Sequence, residues 1–352
     1  MEGVRPQSVS VALCTHNGAA FVEEQVASIL HQRPAPLELI VGDDASTDDT
    51  VELIERSYRA ARDADPAVTT TLKVIRRVPA LGVIRNVEAT ISACSGDLIA
   101  LSDQDDVWHE GRLAALAAAF ADDPDLLLIH SDAQLIDEEG RPLGYTLLDA
   151  LGASATEREL LARGNALPVL LRRSLVTGAT VMFSSRLREL AIPFPADWVH
   201  DEWLAVIAAS VGRARLLPRQ LTDYRQHAAN QIGARRVTMA DRWYKLREPR
   251  AARAAWLVRR TTALSDRGRA LGVSDRIQAK LDGKAAHEMA RGNLPRVHVL
   301  RVPGVVAGAI SGRYARYSRG AIDVLRDLVQ PAGEVDSGQP AVAARLFSGR
   351  ER

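Results

Sequence analysis

The feature that most limits what this chain can fold into is a repeated unit of short apolar run, polar loop and helix. Residues 8–14 (SVSVALC) read as a buried strand that runs into the turn signal Thr15-His16-Asn17-Gly18. Apolar residues at Phe21, Val22, Val26, Ile29 and Leu30 have helical spacing, and Pro34 and Pro36 close that helix. Residues 37–41 (LELIV) form the next strand, followed by the loop Gly42-Asp43-Asp44-Ala45-Ser46-Thr47-Asp48 and a helix over 49–64. A strand over 72–76, a helix over 86–94 and a strand over 97–101 continue the series. Further on, the pattern predicts a helix over 111–121, strands over 126–131 and 175–183, a helix over 201–211, a short strand over 215–217 and a turn over 224–227. Such alternation argues for a parallel sheet wound right-handedly, with functional loops at the carboxyl ends of its strands.

The acidic residues stand at those ends. Asp103, Asp105 and Asp106 crowd three carboxylates into four positions after an apolar strand. Their repulsion is costly unless a cation or a helix N-terminus offsets it. Carboxylate oxygens are the ligands a hard divalent cation prefers, and such a cation keeps positions open for substrate phosphates. A solvated acidic turn capping the following helix is the plainer reading of the trio alone. Asp43 and Asp44 close a neighbouring strand, where a carboxylate can accept a base N–H or hold a ribose hydroxyl.

Four motifs in order, Thr-His-Asn-Gly at 15–18, Gly-Asp-Asp-Ala-Ser-Thr-Asp at 42–48, Leu-Ser-Asp-Gln-Asp-Asp-Val-Trp at 101–108 and His-Asp-Glu-Trp-Leu at 200–204, resemble those of family 2 glycosyltransferases. The resemblance covers residues 9–233. It implies a Rossmann-like GT-A nucleotide-sugar-binding domain with a mixed central sheet. Gln104 inside the aspartate motif, Val107-Trp108 after it and Tyr224-Arg225-Gln226-His227 look most like the bacterial rhamnosyltransferase branch, which implies dTDP-rhamnose as donor and a cell-surface polysaccharide or other glycan as acceptor. Carried over by position, Thr15, Asn17, Asp43 and Asp44 line the base and ribose, and Gly82 and Asn86 approach the nucleotide from the other side. Asp105 is the main ligand of Mg²⁺ or Mn²⁺, with Asp103 and Asp106 beside it, and Gln104 belongs to the same donor-binding motif. Two positions depart from the family pattern: His16, where many relatives carry Tyr or Arg, and Ala45, where many carry Gly.

Asp201 opens a helix and matches the carboxylate that acts as base in similar inverting enzymes, with Glu202 as its understudy. Inversion needs one carboxylate to take the acceptor hydroxyl's proton while a metal stabilises charge on the leaving diphosphate. The plainer reading of this pair is an acidic helix start stabilised by the dipole. His227 is expected as a late metal or phosphate ligand and Arg225 as a partner for the diphosphate. Trp108, Trp198 and Trp203 flank the acidic motifs and offer faces to a sugar, although Trp203 has core neighbours in sequence. Two other classes compete. A nucleotidyltransferase normally shows a basic Gly-rich loop after the first strand, and residues 15–20 hold no Lys or Arg. An inactive adaptor requires a lost acidic position, and every one is filled.

Charge divides the chain. Residues 1–234 hold 21 Lys and Arg against 33 Asp and Glu, whereas residues 235–330 hold 21 against 8. Domains are therefore expected at 1–235 (catalytic), 236–330 (basic helical extension) and 331–352 (flexible tail). In the extension Trp243, Tyr244 and Leu246, then Trp256, Leu257 and Val258, then Tyr314, Tyr317, Ile322, Val324 and Leu325 interleave with arginines. That mixture fits helices lying peripherally on an anionic membrane, and equally helices packed on an acidic domain. No nucleic-acid motif accompanies the charge. Residues 1–7 lack the pattern of a secretory signal, no run approaches membrane-spanning length, and Cys14 and Cys94 read as buried thiols, so a cytoplasmic setting is expected.

Overall fold

The computed structural model describes residues 7–227 and 249–333. The cluster expected at Trp243, Tyr244 and Leu246, the boundary at 235/236 and the tail beyond residue 333 lie outside the described residues. Two compact units emerge. The first takes the described residues within Met1–Asn165, Val176–Phe194 and Val199–Ala228; the second takes Ala166–Leu175, Pro195–Trp198 and the described part of Ala229–Arg352.

The first unit begins with the expected alternation: β1 (Val9–Thr15), α1 (Val22–Leu30), β2 (Glu38–Asp43), α2 (Thr50–Ala64), β3 (Thr71–Arg76), α3 (Val83–Ser92) and β4 (Leu98–Asp103). These strands lie parallel in the order β3-β2-β1-β4. Parallel strands have both faces covered, which explains why β1 is buried on both sides of its pleat. One face of the sheet, through Val9, Val11, Leu13, Leu39, Val41, Leu98 and Ala100, meets Val22, Val26, Ile29 and Leu30 of α1 in a single apolar core.

Beyond β4 come β5 (Val107–Trp108), α4 (Arg112–Ala121), β6 (Leu126–Ile136), β7 (Pro142–Thr146), α5 (Leu147–Ala150), α6 (Ala155–Ala162), β8 (Val181–Ser184), α8 (Ser185–Ala191), α9 (His200–Val211) and β9 (Arg213–Arg225), with α7 (Leu167–Leu170) falling to the second unit. Strand β8 enters antiparallel between β4 and β6, and β9 runs parallel to β6. The sheet is thus mixed, and the expected Rossmann-like α/β architecture followed by helices is what the chain adopts.

Two local expectations are corrected. Residues 175–183 are not one strand: Gly178–Thr180 is a 3-10 turn closed by Thr180 N–H on the Thr177 carbonyl, and only the following residues join the sheet. The short strand expected over 215–217 runs to Arg225, so Tyr224 and Arg225 are strand residues. Pro218 falls inside this strand, where a regular ladder would call for an N–H. The pairing instead jumps from Ser131–Leu217 to Asp132–Gln220, an irregularity that accommodates a residue with no N–H to donate.

The second unit contains α10 (Arg250–Ala270), α11 (Asp275–Gly292), α12 (His298–Ile310), α13 (Arg313–Tyr317) and α14 (Ala321–Val329). Trp256, Tyr314 and Tyr317 are buried within it, so these aromatics are interior and not a surface belt. Trp198 is interior here too: its indole N–H donates to the Arg260 carbonyl at 2.8 Å, and the Arg260 guanidinium lies 3.8 Å from its ring centroid. Residues 331 and 332 accept the N–H groups of Arg250 and Ala251 that open α10. Among the described residues no helix is long and apolar enough to cross a membrane, and both cysteines are free.

Leu13 lies at the centre of the parallel strands and is fully buried. Replacing it by Ala is expected to lower the unfolding free energy by about 2–5 kcal/mol, read from urea denaturation; a loss well below that range would mean the sheet is anchored elsewhere.

Candidate functional site

Parallel pairing sets the site's floor. The register places Thr15 beside Asp43 and Cys14 beside Asp103, so the polar ends of β1, β2 and β4 line up at one edge. There the Thr15 hydroxyl donates to Asp43 Oδ1 at 2.9 Å, and Asp43 Oδ2 accepts the Ser46 N–H at 3.1 Å. Asp44 accepts the backbone N–H groups of Leu81 and Gly82 at 2.6 and 2.9 Å, which fixes the loop entering α3. Gly82 has φ of +80°, a conformation that favours glycine, and nothing stands within 4 Å of where its Cβ would be. Asn86 donates to the Gly42 carbonyl and accepts from Arg77 at 2.8 and 2.9 Å. Asn17, at φ of +49°, accepts the Thr47 N–H at 2.9 Å.

Gln104 links this floor to the aspartates. Its carbonyl accepts the His16 N–H at 2.8 Å and its amide donates to the His16 carbonyl at 3.1 Å. The His16 ring in turn stands 2.7 Å from the Asp44 carbonyl. Three loops from three strands are therefore tied together, and Thr15, Asn17, Asp43, Asp44, Gly82, Asn86 and Gln104 are brought to one place. Gly18 and Gly42, which belong to the quoted motifs, were given no role from the sequence. A Cβ on Gly18 would sit 2.4 Å from Gln104 Oε1, and one on Gly42 would press on Thr90, Arg77 and Asn86. Their place inside the motifs was the available signal.

The second wall carries the aspartates. Asp103 ends β4, and Asp105 and Asp106 lie in the loop to β5. The Arg225 N–H donates to Asp106 Oδ1 at 3.1 Å, and its Nε donates to the Asp105 carbonyl at 2.8 Å. Its other nitrogens reach the Glu138 carbonyl at 3.0 Å and Glu24 at 2.7 Å. Only 3% exposed, Arg225 braces this loop from inside. His227 Nε2 lies 2.8 Å from Asp105 Oδ2, and its ring packs 4.8 Å from that of Phe21. Arg112, fully buried at the start of α4, donates to the Thr222 hydroxyl and stacks 4.3 Å from the Trp108 ring centroid. Trp108 is accordingly a core residue, and its ring face is taken by Arg112.

Burial first, and then the neighbouring Asp105 charge, pushes the Asp103 carboxyl up to about 7. The same causes, with Asp103 added, hold Asp106 well above the usual carboxylate range. Burial brings Arg112 down to about 9 against the fields of Asp106 and Asp103. Asp106 Oδ2 is buried with no hydrogen-bond partner. An unpaired buried oxygen beside repelling carboxylates and an imidazole is a donor set that suits a hard divalent cation sharing its shell with phosphate oxygens. Among the described residues no three such side chains converge on one point; Asp105 and His227 meet as a pair.

Asp201 is the second residue of α9. The N–H of Gly178 donates to its Oδ2 at 3.0 Å, and that of Glu202 to its Oδ1 at 2.6 Å. Burial, then Glu202 and Asp103, push this carboxyl up to about 7 despite both donors. Tyr224 shows what surrounds it: burial foremost, then the fields of Asp106, Asp103, Asp105 and Asp201, hold its phenol protonated. Four carboxylates from two segments thus act on one side chain. Gly178, also overlooked, permits this geometry, since a Cβ there would stand 2.9 Å from His200 Nε2. Burial takes His200 down to about 4, so its ring is neutral. Trp203 is core, donating its indole N–H to the Ala191 carbonyl at 2.8 Å, and Glu202 is half-buried beside Asp201.

Residues 10–168 match the family model described as Glycosyl transferase family 2. Among curated proteins, an uncharacterized protein of Mycobacterium tuberculosis is 26% identical over 227 residues, covering 62% of this chain and 59% of its own length. The dTDP-rhamnosyl transferase RfbG of Shigella flexneri is 27% identical over 106 residues, 29% of this chain and 34% of its own. The chain spans about three fifths of the length of the first of these relatives. Of solved structures, the mannosyltransferase PcManGT from Pyrobaculum calidifontis, in complex with GDP-Man and Mn²⁺, superposes with a TM-score of 0.50 at 20% identity, covering 88% of this chain and 77% of that one. The fold is thus the GT-A fold.

A carboxyl held at about 7 in the folded chain and near 4 in the unfolded one releases its proton earlier on unfolding, so stability falls as pH rises through that window. Asp201→Asn removes this penalty. Without added metal, the variant is expected to gain on the wild type between pH 4 and 7 by on the order of 2 kcal/mol and to gain nothing further above. Urea unfolding across that range checks it, and parallel pH slopes would contradict the burial of this carboxyl.

Proposed function

We propose that the chain is a metal-dependent, inverting glycosyltransferase that moves a sugar from a nucleoside-diphosphate donor to a hydroxyl of a glycan or lipid-linked glycan, in the assembly of a cell-surface polysaccharide. Rhamnose from dTDP-rhamnose is the donor we favour. Its support is the partial likeness to the Shigella flexneri transferase, together with Gln104 in the aspartate motif and the Tyr224-Arg225-Gln226-His227 run. The catalytic domain is proposed over 1–235, with a helical extension over 236–330.

The observation that carries the reading is the Asp201 carboxyl, raised to about 7 and within the field of Asp103. A carboxylate with that affinity for a proton is matched to accepting one from a sugar hydroxyl near neutral pH. The Gly178 and Glu202 N–H groups each donate to one of its oxygens, which fixes the orientation of the carboxylate, and its remaining lone pairs would receive the acceptor's proton. Thr15, Asn17, Asp43, Asp44, Gly82 and Asn86 would form the seat of the base and ribose. Their mutual hydrogen bonds hold that seat in shape before a ligand arrives. Gln104 would act there through His16 and not by direct contact.

Asp105, Asp106 and His227 would hold Mg²⁺ or Mn²⁺, as the Pyrobaculum calidifontis neighbour binds Mn²⁺ with its nucleotide sugar. When bound, the ion supplies positive charge against that building on the departing diphosphate. Asp103 would hold sugar hydroxyls, and Arg225 would keep Asp105 and Asp106 aimed, since its own nitrogens are engaged within the protein. Glu202 would assist Asp201.

Two variants separate these roles. Asp105→Ala is expected to abolish Mn²⁺-dependent donor binding in calorimetric titration with dTDP-rhamnose. Asp201→Asn should bind the donor as the wild type does while losing about 10²–10⁴-fold in turnover; equal loss of binding in both would mean the roles are misassigned. A thermal-shift panel of nucleoside-diphosphate sugars with Mn²⁺ tests the donor itself. The largest rise in melting temperature should fall to dTDP-rhamnose, and a larger rise with another sugar would replace that choice.

A further inference from the structure

Helices α12 and α14 bury their charged groups and expose most of their aliphatic ones. On α12 the guanidinium of Arg301 is fully buried and donates to four carbonyls: Pro295 at 2.7 Å, Arg296 at 2.8 Å, Asp327 at 3.1 Å and Gln330 at 2.6 Å. On α14 Asp323, Arg326 and Asp327 face inward. Asp327 there receives Arg291 Nε at 2.6 Å and the Tyr314 hydroxyl at 2.7 Å. The outward positions are the reverse. Val299, Leu300, Val302, Val306 and Ile310 of α12, and Ile322, Leu325 and Val329 of α14, are exposed, reaching 72% at Val299 and 83% at Ile310. Residues 299, 302, 306 and 310 fall on one helical stripe, and 322, 325 and 329 on another. The two helices pack against each other.

Among the described residues of α12, α13 and the turns beside them, the charges have one sign. Between Leu294 and Gly320 there are five arginines and no Asp or Glu. Arg296, Arg316 and Arg319 are exposed, while both acids of α14 are buried. Leaving so many branched aliphatic side chains in water forgoes about 25 cal/mol for each Å² of apolar area that could be covered. A face of this kind is completed by a partner with an apolar interior and a negatively charged rim.

We infer that the α12–α14 face docks on an anionic phospholipid surface, its aliphatic stripes entering the boundary between headgroups and acyl chains and Arg296, Arg316 and Arg319 meeting the phosphates. The contact is peripheral, since α12 has 13 residues and cannot span a bilayer. A second copy of the chain fits less well. A two-fold contact would set each arginine rim against its own kind. The assignment goes beyond the transferase reading and does not depend on it. Donor binding, measured by calorimetry on the same samples, reports on that reading separately.

The test is flotation of the full chain with vesicles of phosphatidylcholine alone and of phosphatidylcholine mixed with phosphatidylglycerol. The wild type should partition at least about tenfold more strongly onto the anionic vesicles, with an advantage that shrinks as salt is added. Val306→Glu with Leu325→Glu should remove at least about tenfold of that binding without changing the melting temperature, and Arg316→Glu with Arg319→Glu should remove the preference for anionic lipid. Should the double aliphatic variant unfold, Ile310→Ser at the more exposed helix end provides the same comparison with a smaller loss. Equal partition onto both vesicle types, or wild-type binding by the aliphatic variants, would overturn the inference. So would sedimentation velocity showing a self-associated chain that Val306→Glu with Leu325→Glu makes monomeric while no vesicle is bound.

Discussion

Asp103, Asp105 and Asp106 stand within four positions at the end of one strand, largely screened from water, and the rest of the first unit is arranged so that this is tolerable. Arg112 lies fully buried near them, and Arg225 reaches in from β9, its Nε donating to the Asp105 carbonyl and its backbone N–H to the Asp106 carboxyl. Removing charge from water is expensive, and the Arg112 charge and the Arg225 backbone N–H offset part of that cost at Asp106. Even with them, Asp103 and Asp106 hold their protons more tightly than an ordinary carboxyl. The cluster is electrostatically incomplete, and that incompleteness is the physical basis for expecting a cation there.

Strand β9 connects this wall to the rest. It pairs with β6 through Tyr224 and Arg225, supplies Asp223 opposite Val107, and ends two residues before His227, which meets Asp105. Its length decides how the site is assembled. Had it ended at Pro218, Tyr224 and Arg225 would lie on a loop with nothing to hold them against the aspartates. The irregular pairing between Ser131 and Asp132 lets the strand pass its proline and continue to the site.

Most of the first unit's architecture could be read directly from the sequence, because period-two and period-3.6 apolar patterns in β1 to β4 and α1 to α4 are strong and local. The order of acidic loops followed from the same pattern. What could not be read depended on pairing across the sheet. The antiparallel entry of β8, the two-residue β5 and the continuation of β9 past Pro218 all come from neighbours far away in sequence. At the site, residue identities were legible but their partners were not. Gln104 turned out to hold a backbone, Arg225 to brace a loop and Trp108 to support Arg112, whereas all three had been read as facing a ligand. In the helical unit composition left open which of the interleaved side chains face outward. Trp256, Tyr314 and Tyr317 are interior, while Ile322 and Leu325 of the same runs are exposed.

The two hydrogen bonds between Gln104 and the His16 backbone have an entropic consequence. They join the end of β1 to the aspartate loop so that the two cannot wander independently, and the Asp44 contacts extend the same restraint to the entrance of α3. Part of the ordering that a small molecule would otherwise impose on three separate loops has already been done during folding. A molecule that settles against them meets a lip of fixed shape, and more of its contact energy remains as affinity.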